Sequence, residues 1–444
     1  MEFTLRQVAA VSEAHITLNG ITTLAGKNNT GKSTVSKSLW CMVRSLDNVT
    51  RQVERVRVVR YKRMLERMFH EASYDAPILL GSSEKMQRLA VDLARKTEDG
   101  PLSPDLIRSK LWELFPSHSE GAQADTLFND ELTEDLDRVS ELADYSAIPK
   151  GDIARALLQN RLLNEFHGQI NNIDASSKGV ILLKRGTREF GASIENDRVV
   201  DLHVGNGLQQ TAIYLDDPFV LDYYQRATAM RAHINTFSED HRSHASTLLH
   251  PSVAESEDIL SSIMTDKKID DIIRRLDSVV SGSTAASRKH GIVYRRPGGR
   301  VDLDVRNISS GMKSFASIKA LLHEDRIHEG DVLILDEPEN HLHPQWQLVF
   351  AELIVLLFKA FNLRILLATH SPYFLRAIEV YSAHHEVAGN CRYYHAIRDD
   401  NGACFRDVTL DTDPIYEDMS VPFALLDDRR TAMRQEWNGL SHRV

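Results

Sequence analysis

The sequence predicts an α/β fold with a largely parallel sheet, an antiparallel β flank and an inserted helical subdomain. A glycine-rich turn at residues 26–33 lies between a short apolar run and a helical pattern. Two later apolar runs, Val332–Leu335 and Ile365–Thr369, end in polar residues, as strands buried on both faces of a parallel sheet do. Helical patterns dominate residues 50–170, and strand-like alternation follows at 178–215. Together these patterns place an insertion between two parts of one sheet.

Bulk composition limits the class of protein. The chain has 444 residues, more than one hydrophobic core usually holds, so we expect two or three structural units. Lys and Arg total 53 against 63 Asp and Glu, a net charge of −10, so any contact with nucleic acid must be a local patch. The three cysteines, Cys41, Cys391 and Cys404, lack C-x-x-C spacing, which favours a reducing compartment.

Signals for export or membrane insertion are weak. Residues 1–10 are polar and mixed, unlike a secretory signal peptide. The most apolar helical pattern, Leu348–Phe361, contains Glu352 and Lys359 and is too short to span a bilayer. We therefore predict a soluble, cytoplasmic protein without a membrane partner.

The turn at residues 26–33 has the pattern Gly26-x-x-x-x-Gly31-Lys32-Ser33. Its glycines let successive backbone N–H groups point inward at phosphate oxygens. Lys32 can reach the β- and γ-phosphates, the Ser33 hydroxyl can bind Mg²⁺, and the following helix adds the positive end of its dipole. A chance match would lack the strand before and the helix after. The turn predicts a site for a nucleoside triphosphate with Mg²⁺, formed by Gly26, Asn28, Asn29, Thr30, Gly31, Lys32, Ser33 and Thr34.

Two acidic residues follow the first of the later strand patterns. Asp336 and Glu337 lie at the carboxyl end of Val332–Leu335, where α/β sheets bind their ligands. We expect Asp336 to hold Mg²⁺ and Glu337 to polarise the attacking water. The pattern Ile365–Thr369 delivers His370 to the same edge, where we interpret it as a contact to the γ-phosphate. An ordinary acidic strand end and a structural histidine are the alternatives.

Four stretches occur in a characteristic order: GKNNTGKST, ISSGMKSF, LILDEPENHLHP and LLATHSP. This order of Walker A, signature, Walker B and switch histidine resembles that of ABC-type ATPases. The residues in these four stretches are similar to those of the OLD-like (overcoming lysogenisation defect) ATPases within the RecF/SMC-like branch. The resemblance covers residues 1–45 and 290–380. It implies a P-loop ABC-type core with ATP as substrate, Mg²⁺ as cofactor, and Glu337 and His370 as the catalytic side chains.

The resemblance also implies that two copies pair head to tail, with the signature of one closing over the γ-phosphate held by the other. The signature contacts would be Ser309, Ser310 and Gly311, with Ser309 on the phosphate and Gly311 allowing close approach. The stretch departs from the family pattern at Ser310, where a second glycine is common, and at Met312, where a glutamine is common. Lys313 either adds charge toward the phosphates or, more simply, is solvated.

Many OLD-like proteins carry a C-terminal Toprim nuclease domain, but only residues 371–444 follow His370 here. The D-x-D at Asp411–Asp413 lacks a companion glutamate on a second strand, so we expect no Toprim domain. The chain is then similar to the ATPase subunits of Septu- and retron-type anti-phage systems, in which a separate nuclease is the effector. A RecF-like ATPase that clamps DNA in repair or chromosome maintenance is the alternative. A transport motor is disfavoured, because no membrane-coupling face is evident.

One helical stretch, RQVERVRVVRYKRMLERMF at residues 51–69, holds seven basic residues against two glutamates. On a helix, Arg57, Arg60, Arg63 and Arg67 share one face, which suits the phosphates of DNA or RNA. A solvated helix face, or one that pairs with an acidic partner chain, is the alternative.

These patterns divide the chain into six parts. They are the Walker A part of the ATPase core at 1–45, a helical insertion at 46–175, strands returning to the core at 176–216, a second helical block at 217–289, the core with signature, Walker B and switch histidine at 290–380, and a C-terminal extension at 381–444.

Overall fold

A mixed sheet forms the centre of the protein. The computed structural model describes residues 1–71, 83–98, 100–112, 136–173, 177–205, 207–223, 239–249, 272–287, 291–299 and 301–441. Within these residues, eleven strands pair into one sheet, and three more strands form a separate small sheet. The α/β class expected from the sequence is confirmed.

Five neighbouring strands of the sheet are parallel. They are β3 (Ile21–Ala25), β7 (Ala212–Leu215), β11 (Val332–Asp336), β12 (Arg364–Thr369) and β13 (Cys391–Asp399). Every residue of β3 and of β11 is buried, as the continuous apolar runs predicted. Because parallel strands all point one way, the residues after each strand meet at one edge of the sheet.

The remaining strands of the large sheet form the flank. They are β1 (Glu2–Val8), β2 (Val11–Thr17), β4 (Gly179–Arg185), β5 (Arg188–Glu195), β6 (Arg198–His203) and β14 (Gly402–Asp407). Strands β2, β1, β4, β5 and β6 pair antiparallel in that order, as expected. The interpretation of 176–216 as wholly antiparallel is wrong at its end, because β7 pairs in parallel with β11.

The C-terminal residues are built into the large sheet. Strand β13 pairs in parallel with β3, and β14 pairs with both β13 and β2. The residues predicted as an extension after residue 380 therefore close the gap between the parallel core and the flank. In the small sheet, β8 (Ser283–Ser287) and β10 (Leu303–Asp304) both pair with β9 (Gly291–Arg295).

Helices cover both faces of the sheet. The named helices are α1 (Lys32–Leu46), α2 (Val49–Glu71), α3 (Ser83–Lys96), α4 (Pro104–Trp112), α5 (Leu136–Ser146), α6 (Lys150–Phe166), α7 (His241–Leu248), α8 (Ser310–His323), α9 (Pro344–Phe361), α10 (Pro372–His384) and α11 (Asp413–Ser441). Alternate residues of β11 enter two different cores. Leu333 and Leu335 pack with α8, α9 and α10, whereas Val332 and Ile334 pack with α1.

The first helices of the insertion share a small core of their own. Tyr61 and Leu65 of α2 pack against Leu93 of α3, Ile107 of α4 and Leu142 of α5. Helix α4 begins at Pro104, with Ser103 Oγ accepting from the Leu106 N–H. The second helical block is described only in part, and the rest of it lies outside the described residues.

The proposed basic face of α2 is not a continuous exposed surface, and its prediction was wrong at Arg57. Arg57 is 3% exposed, and its guanidinium donates to the carbonyl oxygens of Thr97 and Ile148. Arg60 pairs with Glu141 at 3.5 Å. The physical reason is that a guanidinium can satisfy several buried carbonyls at a junction of helices. Arg63 is half-buried and Arg67 exposed.

Among the described helices, α9 is long and apolar enough to cross a membrane by length and composition. Its Phe350, Leu353 and Leu357 nevertheless lie in the core beside the sheet. The helix begins at Pro344. His343 is its N-cap, and the His343 side chain accepts a hydrogen bond from the Gln345 N–H. The apolar pattern of α9 is accounted for by this packing.

Candidate nucleotide-binding site

The Gly26–Ser33 loop follows β3 at the carboxyl edge of the sheet, and its last two residues, Lys32 and Ser33, begin α1. Gly26 has φ 157° and Gly31 has φ 77°, in the left-handed region that favours glycine. A Cβ atom on Gly26 would lie 2.3 Å from the Ala396 carbonyl oxygen of β13, and one on Gly31 would lie 2.9 Å from Ala403 Cβ of β14. Both glycines are therefore required by space as well as by conformation, and the C-terminal strands support the loop.

Lys32 lies inside its own loop. Its Nζ donates to the carbonyl oxygens of Gly26 at 2.9 Å and Lys27 at 2.7 Å, and Thr30 Oγ1 donates to Lys27 O at 2.8 Å. Burial lowers the pKa of Lys32, while the nearby Glu337 and Asp336 carboxylates act against this. Phosphate oxygens can replace these carbonyls as acceptors, as the motif requires. Of the other predicted contacts, Asn28, Asn29 and Ser33 are exposed and Thr34 is half-buried.

Asp336 ends β11 and has the features of a metal ligand. Its side chain is 6% exposed, and Oδ2 accepts a hydrogen bond of 2.9 Å from the Tyr214 hydroxyl. Within the described residues, Oδ1 is buried with no hydrogen-bond partner. Burial raises the pKa of Asp336, and the Ser33 and Tyr214 side chains partly offset this. A cation would satisfy Oδ1, and a carboxylate with a hydroxyl suits Mg²⁺, which takes its other ligands from phosphates and water. The residues fit Mg²⁺.

Glu337 occupies a constrained turn directly after β11. Its backbone has φ 51°, and its N–H donates to Ala368 O at 2.8 Å, which fixes the turn against β12. Asn340 Nδ2 donates to Oε2 at 2.8 Å, and His370 Nδ1 lies 3.1 Å from Oε1. The His370 interaction, with that of Asn340, lowers the pKa of Glu337 to about 2, and the same pair raises the pKa of His370. Strands β11 and β12 thus bring together the two side chains predicted to be catalytic.

Glu339 was not predicted, yet it lies beneath this pair. It is 3% exposed, and its Oε1 accepts hydrogen bonds from the Thr369 hydroxyl and, at 3.2 Å, from the His370 N–H. Burial raises the pKa of Glu339, although these donors act against it. Glu339 therefore fixes the backbone that carries His370. A third acid in the stretch DEPEN was the available signal for it.

The signature residues begin α8. Ser309 is the N-cap, is exposed, and accepts from the Met312 N–H at 3.4 Å, so the helix N-terminus and this hydroxyl are open to a second molecule. Ser310 is half-buried. Gly311 is buried, and a Cβ there would lie 3.1 Å from both His341 O and the Trp346 ring. Within this chain, Gly311 therefore packs closely against His341 in the turn that follows Glu337 and against Trp346 at the start of α9.

Both interpretations of Lys313 are wrong. The side chain is 1% exposed, and Nζ donates to Asp222 Oδ2 at 2.8 Å. It also lies 4.7 Å from the centre of the Phe219 ring. Because Asp222 and Phe219 belong to the 3₁₀ helix Pro218–Tyr223 that follows β7, the ammonium joins the signature helix to this segment instead of facing phosphate or water.

The C-terminal segment supplies contacts to the loop and no metal cluster within the described residues. Lys27 forms an ion pair with Asp418 of α11, and Arg398 Nη1 donates to Asn29 O at 3.4 Å. In the D-x-D, Asp411 Oδ1 accepts from the Asp413 N–H at 3.1 Å where α11 begins. This is the geometry of a helix start, in which an aspartate satisfies a free backbone N–H.

One protein-family model matches the part of the chain that carries most of this site. The family model described as "AAA domain, putative AbiEii toxin, Type IV TA system" matches residues 234–376. That stretch, about a third of the chain, is similar to this domain family. The matched segment contains the signature, Asp336, Glu337 and His370, and the Gly26–Ser33 loop precedes it.

The solved structures to which this chain is similar include three SMC heads. "SMC head domain from Thermotoga maritima" is 10% identical, with a TM-score of 0.34 over 92% of this chain and 98% of that one. "SmcHead bound to the C-winged helix domain of ScpA" is 10% identical, with a TM-score of 0.36 over 93% and 98%. An Smc head with an extended coiled coil, bound to the C-terminal domain of ScpA derived from Pyrococcus furiosus, is 11% identical, with 0.35 over 97% and 98%. No curated protein has significant sequence similarity to this chain.

Proposed function

We propose that this ATPase domain binds ATP with Mg²⁺ and hydrolyses it at the edge formed by β3, β11 and β12. The observation that carries the proposal is the convergence of four residues at the carboxyl ends of β3, β11 and β12, namely Lys32, Asp336, Glu337 and His370. Lys32 would bind the β- and γ-phosphates, and Ser33 and Asp336 would hold Mg²⁺, which neutralises phosphate charge when bound. Glu337 would orient the attacking water, and His370 would donate to the γ-phosphate.

The low pKa of Glu337, about 2, bears on its role. A carboxylate that acidic is a weak general base, because efficient proton transfer needs a pKa nearer the working pH. It still accepts a hydrogen bond from water, and in phosphoryl transfer most of the catalysis comes from positioning and charge stabilisation. Glu337 therefore acts by orienting water, with the proton leaving on the phosphate product.

We further propose that two copies share each ATP site head to tail. Ser309 is exposed at the N-terminus of α8, where a hydroxyl and free backbone N–H groups can bind phosphate. The Ser309 N-cap lies next to Gly311, which packs on the turn after Glu337, so a change at the γ-phosphate can reach the signature of the same chain. ATP would then close the pair and hydrolysis would release it.

The biological task that we propose is that of a cytoplasmic regulatory ATPase in an anti-phage system of the OLD-like, Septu or retron kind, acting on a separate effector nuclease. Two observations support it. The Asp411 carboxylate of the D-x-D is engaged at a helix start, and the acids that follow β11 pair with adjacent residues at the proposed ATP site, Glu337 with His370 and Glu339 with Thr369. The alternative DNA clamp rested on the basic face of α2, which the burial of Arg57 and the pairing of Arg60 interrupt.

The experiment measures two activities of the purified chain. Phosphate release from ATP should require Mg²⁺ and stop in EDTA. Plasmid DNA and RNA should stay intact with Mg²⁺ or Mn²⁺, and cleavage should appear only after addition of the protein encoded beside this gene. Metal-dependent cleavage by the chain alone, abolished by Asp411→Ala or Asp413→Ala, would contradict the regulatory role. Absence of ATP hydrolysis under all these conditions would contradict the ATPase itself.

A further inference from the structure

Tyr214 is a buried side chain that joins the metal-binding edge to the interior. It lies on β7, next to β11, and is 1% exposed. Its hydroxyl donates to Asp336 Oδ2 at 2.9 Å. Its ring stacks on the imidazole of His241, with centroids 4.1 Å apart and the planes inclined by 23°. Both the hydroxyl and the ring are therefore held, so the tyrosine has little freedom to move away from Asp336.

His241 is itself fixed by two carboxylates. Its Nδ1 lies 2.8 Å from both Glu165 carboxylate oxygens, and its Nε2 lies 3.0 Å from Asp216 Oδ2. Burial acts to lower the pKa of His241, but hydrogen bonds with Asp216 and Glu165 outweigh it and raise that pKa to about 9. The imidazole lies between these two carboxylates and cannot rotate without losing its contacts with them.

These contacts connect distant parts of the chain. Glu165 is in the last turn of α6, at the end of the helical insertion, and its backbone carbonyl also accepts from Lys37 Nζ at 3.1 Å. His241 is the first residue of α7, in the second helical block. The backbone N–H of His241 also donates to Glu165 Oε1 at 2.7 Å. The path from the insertion to the metal-binding edge is therefore Glu165, His241, Tyr214 and Asp336.

We propose that Tyr214 is a positioning residue for the metal ligand Asp336, and that Glu165 of the insertion holds Tyr214 in place through His241. The inference rests on the proposed function, since it takes Mg²⁺ as the ligand of Asp336. The tyrosine hydroxyl occupies Oδ2 and leaves the buried Oδ1, which has no hydrogen-bond partner among the described residues, for the cation. Without this hydroxyl the carboxylate would rotate between several orientations and bind Mg²⁺ less well. Movement of the insertion would change Mg²⁺ affinity along the same path.

The test is a Mg²⁺ titration of fluorescent ATP-analogue binding to the purified full-length chain. Tyr214→Phe should raise the Mg²⁺ concentration at half-maximal binding about tenfold, which corresponds to about 1.4 kcal/mol. Nucleotide binding in EDTA should not change. Glu165→Gln should shift the titration in the same direction by a smaller factor. The matched control is Tyr61→Phe, which removes another buried tyrosine hydroxyl, bonded to Thr97 Oγ1 at 2.9 Å within the insertion, and should leave the titration unchanged.

A double variant distinguishes a positioning role of Tyr214 from a general loss of protein stability. In Asp336→Asn, adding Tyr214→Phe should cause no further shift, because the tyrosine acts through that carboxylate. Circular dichroism confirms folding, and if Tyr214→Phe does not fold, Glu165→Gln tests the same path. A wild-type titration curve for Tyr214→Phe would overturn the role of Tyr214, and one for Glu165→Gln would overturn the connection to the insertion. If the wild-type chain itself shows no Mg²⁺-dependent binding, the proposed function fails instead.

Discussion

His370 Nδ1 lies 3.1 Å from Glu337 Oε1, so an ion pair joins the end of β12 to the turn after β11. Protonation of His370 completes this ion pair, and Glu337 raises the pKa of the imidazole. An imidazolium carries a proton on both ring nitrogens and can donate to a phosphate, whereas a neutral ring carries only one proton.

The first prediction concerns the water-orienting carboxylate. Glu337→Gln should retain ATP binding and lose turnover by about 10²-fold or more, because the amide neither carries the negative charge nor holds the imidazolium. The ATP-bound pair of subunits should persist, since hydrolysis no longer releases it. Gel filtration with ATP and Mg²⁺, alongside a phosphate-release assay, measures both effects. A Glu337→Gln protein with wild-type turnover would remove Glu337 from the mechanism.

The second prediction is a pH dependence. The pKa of His370 is raised above 6.5 chiefly by Glu337, so the pair's contribution to stability is complete below 6.5 and is lost as pH rises through the folded-state pKa. For Glu337, with a folded-state pKa of about 2, the contribution is present above 4.5 and lost as pH falls toward 2. ATP turnover should therefore fall on the alkaline side as the imidazolium is lost. His370→Asn should have low turnover without this alkaline limb; an unchanged limb would assign it to another group.

The third prediction concerns Glu339. Glu339→Ala should leave the Thr369 hydroxyl and the His370 N–H without their acceptor, at a cost of about 1–3 kcal/mol in unfolding free energy. Because His370 is then less well placed, turnover should fall more than KM rises. Glu339→Gln is the matched control, since its amide oxygen can still accept from both donors. Urea denaturation and steady-state kinetics of the two variants test this; equal loss in both would show that charge, and not hydrogen bonding, matters at Glu339.

The site could be predicted from the sequence where local chemistry determines it. Gly26 and Gly31 need backbone conformations and space that only glycine tolerates, and the fully buried strand before Asp336 leaves a continuous apolar run. Each of these features can be predicted from a few consecutive residues. Helix α6 (Lys150–Phe166) likewise lies within residues 50–170, where helical patterns dominate the sequence.

Long-range pairing and burial could not be predicted in this way. Nothing local in β13 distinguishes a strand beside β3 from one in a separate extension, because the pairing is decided by tertiary packing. Arg57 and Lys313 were assigned to the surface as charged side chains usually are, but buried carbonyls and Asp222, respectively, satisfy them. Tyr214 gave no signal, since its role depends on Asp336, which is distant in sequence.

The central claim is that each ATP site is completed by the signature of a second copy, and mixing two inactive variants tests it directly. Lys32→Ala removes the phosphate-binding ammonium, and Ser309→Arg blocks the exposed N-cap of α8. Neither should hydrolyse ATP alone. A mixed pair contains one site with wild-type Lys32 from one chain and wild-type Ser309 from the other, so the account predicts that phosphate release returns on mixing. No recovery, in a sample where exchange of differently labelled subunits is demonstrated, would contradict the shared site.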